Sequence, residues 1–243
     1  MPYQINTVAA VQRQTGLKIG IVGPSGVGKT PLALTTPDPS RTLIIDVDRG
    51  LKSLGNANIP VITVEDPNQL TEILEDLHQT MSGPGAEFDW IILDDVSAIA
   101  DLWYNEARIL MPSESQKWSR FEHVGRKTID TIIGFRNLVQ HVVYLAKQTQ
   151  NKFGQWIPKF PGQLVEKEWP YLLDSIGYMR AMLDDEGQSR TFIQFTPDGE
   201  YNAKDRNGRL AYEECNLTQI AEKIFPSEQQ HLTQGELTHD VQS

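Results

Sequence analysis

Eight consecutive residues, Gly23, Pro24, Ser25, Gly26, Val27, Gly28, Lys29 and Thr30, satisfy every fixed position of the pattern G-x-x-x-x-G-K-[ST]. That spacing serves phosphate chemistry. Glycines let successive backbone N–H groups curl around phosphate oxygens, Lys29 brings positive charge to the β- and γ-phosphates, and Thr30 offers a hydroxyl to Mg2+. The setting supports the motif, because the apolar run LKIGIV (17–22) before it reads as a buried strand and a short helix is expected over 29–34. A second acidic element, WIILDD (90–95), sets four apolar residues before Asp94. A strand ending in an acid at this point suits a carboxylate that holds Mg2+ directly or through a water. Together the two segments predict a site for a nucleoside triphosphate with Mg2+.

Hydrolysis also needs a group that orients the attacking water. Asp48, at the end of LIIDVD, and Asp95, which follows Asp94, are the two candidates, with Asp48 preferred and Asp46 read as a structural cap. An aspartate reaches one methylene less than a glutamate, so slow turnover is expected. At the end of HVVYLA (141–146) stands LAKQ, where a polar side chain could touch the γ-phosphate; Gln148 is the first choice and Lys147 the second.

The following segment, 149–162, carries Lys152, Phe153, Trp156, Lys159 and Phe160. Cations interleaved with aromatics suit single-stranded nucleic acid, since lysines meet phosphates while bases stack on rings. The alternative is a loop that folds its aromatics onto its own domain. Farther along, AKDRNGRL sets Lys204, Arg206 and Arg209 on a turn. These cations either face solvent or reach a γ-phosphate held by a neighbouring copy, as an arginine finger does.

Strands must position these groups. Apolar runs at 17–22, 42–47, 59–64, 88–95 and 141–146 alternate with helical patterns at 67–80, 97–110 and 115–139, the last two separated near Pro112. Strands apolar on both faces predict an α/β fold with a mainly parallel sheet covered by helices on both sides. Segments 176–183 and 190–196 read as an antiparallel hairpin at its edge, and 218–225 as a closing helix. Trp118, Phe121, Val124, Ile129, Ile132 and Ile133 form one apolar stripe, read as core. Residues 1–16 form a polar lead-in with a short helix near 8–14, 17–225 one domain, and 226–243 a polar, disordered tail.

The chain of 243 residues has a net charge of -10, which argues against a protein that binds nucleic acid over its whole surface. No apolar run approaches the roughly 20 residues of a membrane span, and no signal peptide stands at the start of the sequence. The single cysteine, Cys215, permits no internal disulfide and suits a reducing compartment.

Taken together, GPSGVGKT, LIIDVDRGLKSL, DWIILDDVSAI, VVYLAKQ, FPGQL and AKDRNGRL resemble the RecA-like core ATPases, and more closely the phage single-strand annealing proteins of the Sak-four type. The resemblance spans about residues 17–225. It implies a RecA-like P-loop core, ATP as the nucleotide, Asp48 where the family usually has a catalytic glutamate, Gln148 or Lys147 as γ-phosphate sensor, and 149–162 as a DNA-binding loop. It further implies ATP held between subunits of a ring or filament, with Lys204 and Arg206 acting in trans. The implied activity is ATP-dependent binding and annealing of single-stranded DNA in phage recombination or replication, in the cytoplasm of a bacterial host. Single-stranded DNA, further copies of the chain and a single-strand-binding or replication protein are the expected partners. A helicase loader or another protein-remodelling ATPase is the alternative. A small-molecule kinase is disfavoured, since no arginine-rich lid is present.

Overall fold

The computed structural model describes residues 15–80, 86–183 and 186–226. The short helix expected near 8–14 and nearly all of the tail 226–243 lie outside the described residues. Among the described residues ten strands form the sheet: β1 (Lys18–Gly23), β2 (Thr42–Asp46), β3 (Val61–Thr63), β4 (Trp90–Asp94), β5 (His141–Gln150), β6 (Trp156–Pro158), β7 (Ser175–Leu183), β8 (Ser189–Gln194), β9 (Lys204–Asp205) and β10 (Tyr212–Glu214). The α-helices among the described residues are α1 (Gln69–Thr80), α2 (Val96–Leu110), α3 (Lys117–Arg136), α4 (Leu164–Leu172) and α5 (Leu217–Ile224).

The main strand order is β10-β8-β7-β1-β5-β4-β2-β3. From β7 to β3 all neighbours run parallel, and β8 and β10 add an antiparallel edge. This is an α/β architecture of the P-loop kind: the parallel strands point their C-terminal ends at one edge, where their connections gather.

Side chains alternate across the sheet with the two-residue period of a strand. Ile91 and Leu93 of β4, with Val142 and Tyr144 of β5, enter a core under α1–α4. Trp90, Ile92, Val143 and Leu145 enter the opposite core, closed by α5 and a 3-10 helix at Thr30–Thr35. In β1 one position is a packing requirement, since a Cβ on Gly20 would stand 2.6 Å from Cζ2 of Trp169. Only a residue without a side chain lets α4 lie on this strand.

Several expected elements take a different form. The helix after the phosphate loop is a single 3-10 run containing Pro31, cut short before Pro37 and Pro39. The third strand shortens to Val61–Thr63 and lies at the sheet edge. Helix α4 occupies 164–172, a stretch for which the sequence suggested no element, and Pro170 inside it interrupts the helical pattern. The apolar stripe on α3 holds from Val124 onward, but Trp118 leaves it: its side chain is 82% exposed, edge-on to Phe121 with ring centroids 6.4 Å apart. No helix among the described residues is long and apolar enough to cross a membrane.

Candidate nucleotide-binding site

The phosphate loop leaves the buried end of β1 and turns at Gly26 (φ 77) and Gly28 (φ 104), left-handed values that favour glycine. A cleft of about 330 Å³ opens over it, lined by Ser25, Gly26, Gly28, Lys29, Thr30 and Pro31 from the loop. Asp48, Gly50, Ser53, Asp94, Asp95 and Lys147 complete the lining from the neighbouring strand ends. Of the loop's predicted residues, Gly23, Pro24 and Val27 support the turn without lining the cleft. Lys29 Nζ donates to the carbonyls of Gly23 and Pro24 at 2.9 Å each, so the ammonium lies inside the loop's curl. Burial lowers its pKa, opposed by the charges of Asp95 and Asp94.

Thr30 and Asp94 meet directly: Thr30 Oγ1 donates to Asp94 Oδ2 at 2.6 Å. Asp94 ends β4 and is 5% exposed, and burial raises its pKa. Asp46 lies beside it in register on β2 and is also buried. Its Oδ1 accepts the N–H of Arg49, which stands at φ 55, so Asp46 fastens the turn carrying Asp48. A hydroxyl next to a buried carboxylate suits Mg2+, a hard cation that takes oxygen ligands and keeps waters and phosphate oxygens in its shell. Among the described residues no group of three or more His, Cys, Asp or Glu could cage an ion. Thr30 and Asp94 would therefore hold Mg2+ together with the phosphates, where it neutralises charge developing on the transferred group.

The two candidate bases differ in what else they do. Asp95 is 2% exposed, caps α2 through a 2.6 Å bond from Ala98 N–H to its Oδ1, and has its pKa pushed up to about 6, mainly by burial. Asp48 keeps a side chain 44% exposed to the cleft. Lys147 joins them, with Nζ 2.7 Å from Asp48 Oδ1 and 3.6 Å from Asp95 Oδ2. Burial lowers the pKa of Lys147, but the Asp48 hydrogen bond and the Asp95 charge outweigh it and leave it raised.

Strand alternation sets the two sensor candidates apart in position. Lys147 pairs with Gly23 in register and enters the cleft, while Gln148 lies one residue on, opposite Pro158, and does not line it. The N–H of Lys147 donates to Ser97 Oγ at 3.1 Å, a fixture the sequence reading did not identify.

The segment 149–162 is a hairpin rather than an open loop. β5 runs on to Gln150 and β6 pairs back against it. Asn151 Oδ1 accepts the N–H groups of Phe153 and Gln155, and Gly154 turns at φ 80. The pairing of Asn151 and Gly154 was the available turn signal. At the tip Phe153 is 75% exposed with Lys152 Nζ 4.9 Å from its ring centroid, and Lys159 is also exposed. Trp156 and Phe160 turn inward: Trp156 lies against Tyr201 and donates to Glu200, and Phe160 packs on Trp169.

Lys204 and Arg206 stand at the other end of the sheet. β9 pairs with Ser175 and Ile176, where β7 begins, so the cations lie at the N-terminal ends of the parallel strands. Lys204 Nζ donates to the carbonyls of Leu173 and Pro170, and Arg206 pairs with Asp174 at 3.2 Å. Arg209 donates to the last carbonyls of α5.

A family model described as an AAA domain matches residues 15–207, about four-fifths of the chain. The match runs from the strand before the phosphate loop to the turn after β9, and the chain belongs to this family of P-loop ATPases. No curated protein matches it.

Proposed function

We propose that this protein is an ATPase with a RecA-like core that binds single-stranded DNA in an ATP-dependent way and pairs or anneals strands, as phage proteins of the Sak-four type do. The observation that carries the reading is the convergence of Thr30, Asp94, Asp48 and Lys147 on one cleft above the phosphate loop, with the 149–162 hairpin growing directly from the strand that bears Lys147. Lys147 also accepts, at its carbonyl, the N–H of Lys159 at 2.7 Å, so the cleft and the hairpin share a backbone connection.

In this reading Lys29 and the loop N–H groups hold the triphosphate, and Thr30 and Asp94 hold Mg2+, which stabilises charge on the phosphates. Asp48 accepts a proton from the attacking water, and Lys147 steadies both Asp48 and the γ-phosphate. Lys152 and Phe153 at the hairpin tip meet the DNA, with Lys159 behind them. Each tip is a weak contact, and an array of copies gains by multivalency. The position of Lys204 and Arg206 at the far end of the sheet suits a role toward a neighbouring copy. The experiment is DNA retention by the full chain with a non-hydrolysable ATP analogue. Retention of single strands only with the analogue supports the reading, and none under either condition overturns it.

A further inference from the structure

A cavity of about 210 Å³ lies between the 149–162 hairpin, α4 and β7. Phe153 and Gln155 line it from the hairpin, Glu166 and Trp169 from α4, Tyr178 from β7 and Asn202 from the segment before β9. Trp169 and Tyr178 are each 1% exposed and make its inner wall, while Phe153, 75% exposed, marks its opening at the hairpin tip. The space equals on the order of seven waters at roughly 30 Å³ each, room for one planar ring system and not for a stacked pair.

Two of its amides are engaged in holding the hairpin. Asn151 Nδ2 donates to Gln155 Oε1 at 3.1 Å, and Gln155 Nε2 donates to the carbonyl of Gly199 at 3.2 Å. The side chains of Glu166, Tyr178 and Asn202 make no hydrogen bond or ion pair among the described residues. Glu166 is half-buried, and its charge reaches Tyr178: burial first, then Glu166, raises the pKa of that hydroxyl, which therefore keeps its proton and can donate. The one cation at the opening is Lys152, over the Phe153 ring. An unpaired carboxylate repels a phosphate but accepts N–H groups, and the ring walls suit a flat apolar face. This is the chemistry of a nucleobase edge.

We propose that this cavity receives one unstacked base of the bound strand and that Glu166 selects guanine there. The inference rests on the single-strand reading above. Guanine alone among the DNA bases offers two adjacent donors, N1–H and the 2-amino group, to the two oxygens of one carboxylate. Thymine offers a single imide N–H flanked by carbonyls, which a carboxylate repels. Tyr178 and Asn202 supply donors for the acceptors on the rest of the base, Phe153 a stacking face, and Lys152 a partner for the adjoining phosphate. Phe153 belongs both to the hairpin tip and to the opening, so a strand held at the tip passes the cavity. In duplex DNA the same guanine edge is occupied by cytosine, so only an unpaired base can enter.

The test is binding of the full chain, with a non-hydrolysable ATP analogue, to three labelled strands of equal length: thymidine alone, thymidine with isolated guanines, and the latter with inosine at each guanine. Inosine keeps N1–H and loses the 2-amino donor. Wild type is expected to bind the guanine strand at least about five-fold more tightly than the thymidine strand, the lower end of discrimination by one bidentate pair, and to lose most of that gain with inosine. Glu166→Gln, which sets a donor where an acceptor stood, should bring the guanine-to-thymidine ratio within about two-fold. A wild-type ratio near one, or a ratio that survives in Glu166→Gln, overturns the proposal. Nucleotide binding by Glu166→Gln checks that it folds; if it does not, the guanine and inosine strands on wild type decide alone, and equal affinity for them overturns the proposal. Failure to retain any strand removes the single-strand reading and the base site with it, whereas retention without guanine preference removes only the base site.

Discussion

Lys147 Nζ stands 2.7 Å from Asp48 Oδ1, joining the end of β5 to the turn after β2 across 99 positions of sequence. The pair places a cation and a carboxylate together at the mouth of the cleft. Truncating Lys147 is therefore expected to harm catalysis more than truncating its neighbour. Steady-state hydrolysis should fall at least about ten-fold in Lys147→Met and less than about two-fold in Gln148→Ala, on the scale of one charged hydrogen bond. Equal losses in both variants would contradict the strand register as the reason.

Asp48 and Asp95 are separable by mutation. Asp48→Asn should lower kcat by about a hundred-fold or more while leaving the melting temperature within a few degrees, as expected of an exposed general base. Asp95→Ala should cost about 0.5–2 kcal/mol of stability as well, since it leaves the N–H of Ala98 without its cap. Thermal melts beside single-turnover assays distinguish the two.

His141 gives the fold a pH dependence. Its Nδ1 accepts the N–H of Leu17 at 3.1 Å and its ring stacks on Trp90, and burial followed by the charge of Lys18 lowers its pKa from 6.5 to about 4. A depressed histidine pKa means that the unfolded chain binds the proton first. Stability is thus expected to drop as pH falls from about 6.5 to about 4, by at most about 3 kcal/mol from this group. Urea unfolding of wild type against His141→Asn isolates it, because asparagine keeps an acceptor for Leu17 and does not titrate.

Trp118 and Ile132 lie on the same helix and were expected in the same stripe, yet one is 82% exposed and the other fully buried. Trp118→Ala should change unfolding free energy by less than about 0.5 kcal/mol, and Ile132→Ala should cost about 2–5 kcal/mol. Denaturant titration checks both.

What was legible in the sequence follows from the range of the interactions involved. The phosphate loop, the acid at the end of β4 and the parallel strands are local patterns, and GPSGVGKT or WIILDD carries them without help from elsewhere. Gln148 was preferred to Lys147, yet Lys147 is the one that lines the cleft, because a one-residue change in strand register exchanges the faces. The inward turn of Trp156 and Phe160 depends on Tyr201 and Trp169, residues distant in the chain, so composition alone suggested more exposed aromatics than exist.

The central claim is that the cleft above the phosphate loop hydrolyses ATP in response to single-stranded DNA. The direct measurement is the ATP hydrolysis rate of the full chain alone, with single strands and with duplex, using Lys29→Ala as the blank. The account predicts a rate well above the blank that rises with single strands and not with duplex, and that loses this rise when Lys152 and Phe153 are both changed to alanine. Hydrolysis indifferent to DNA, or no greater than in Lys29→Ala, would contradict it.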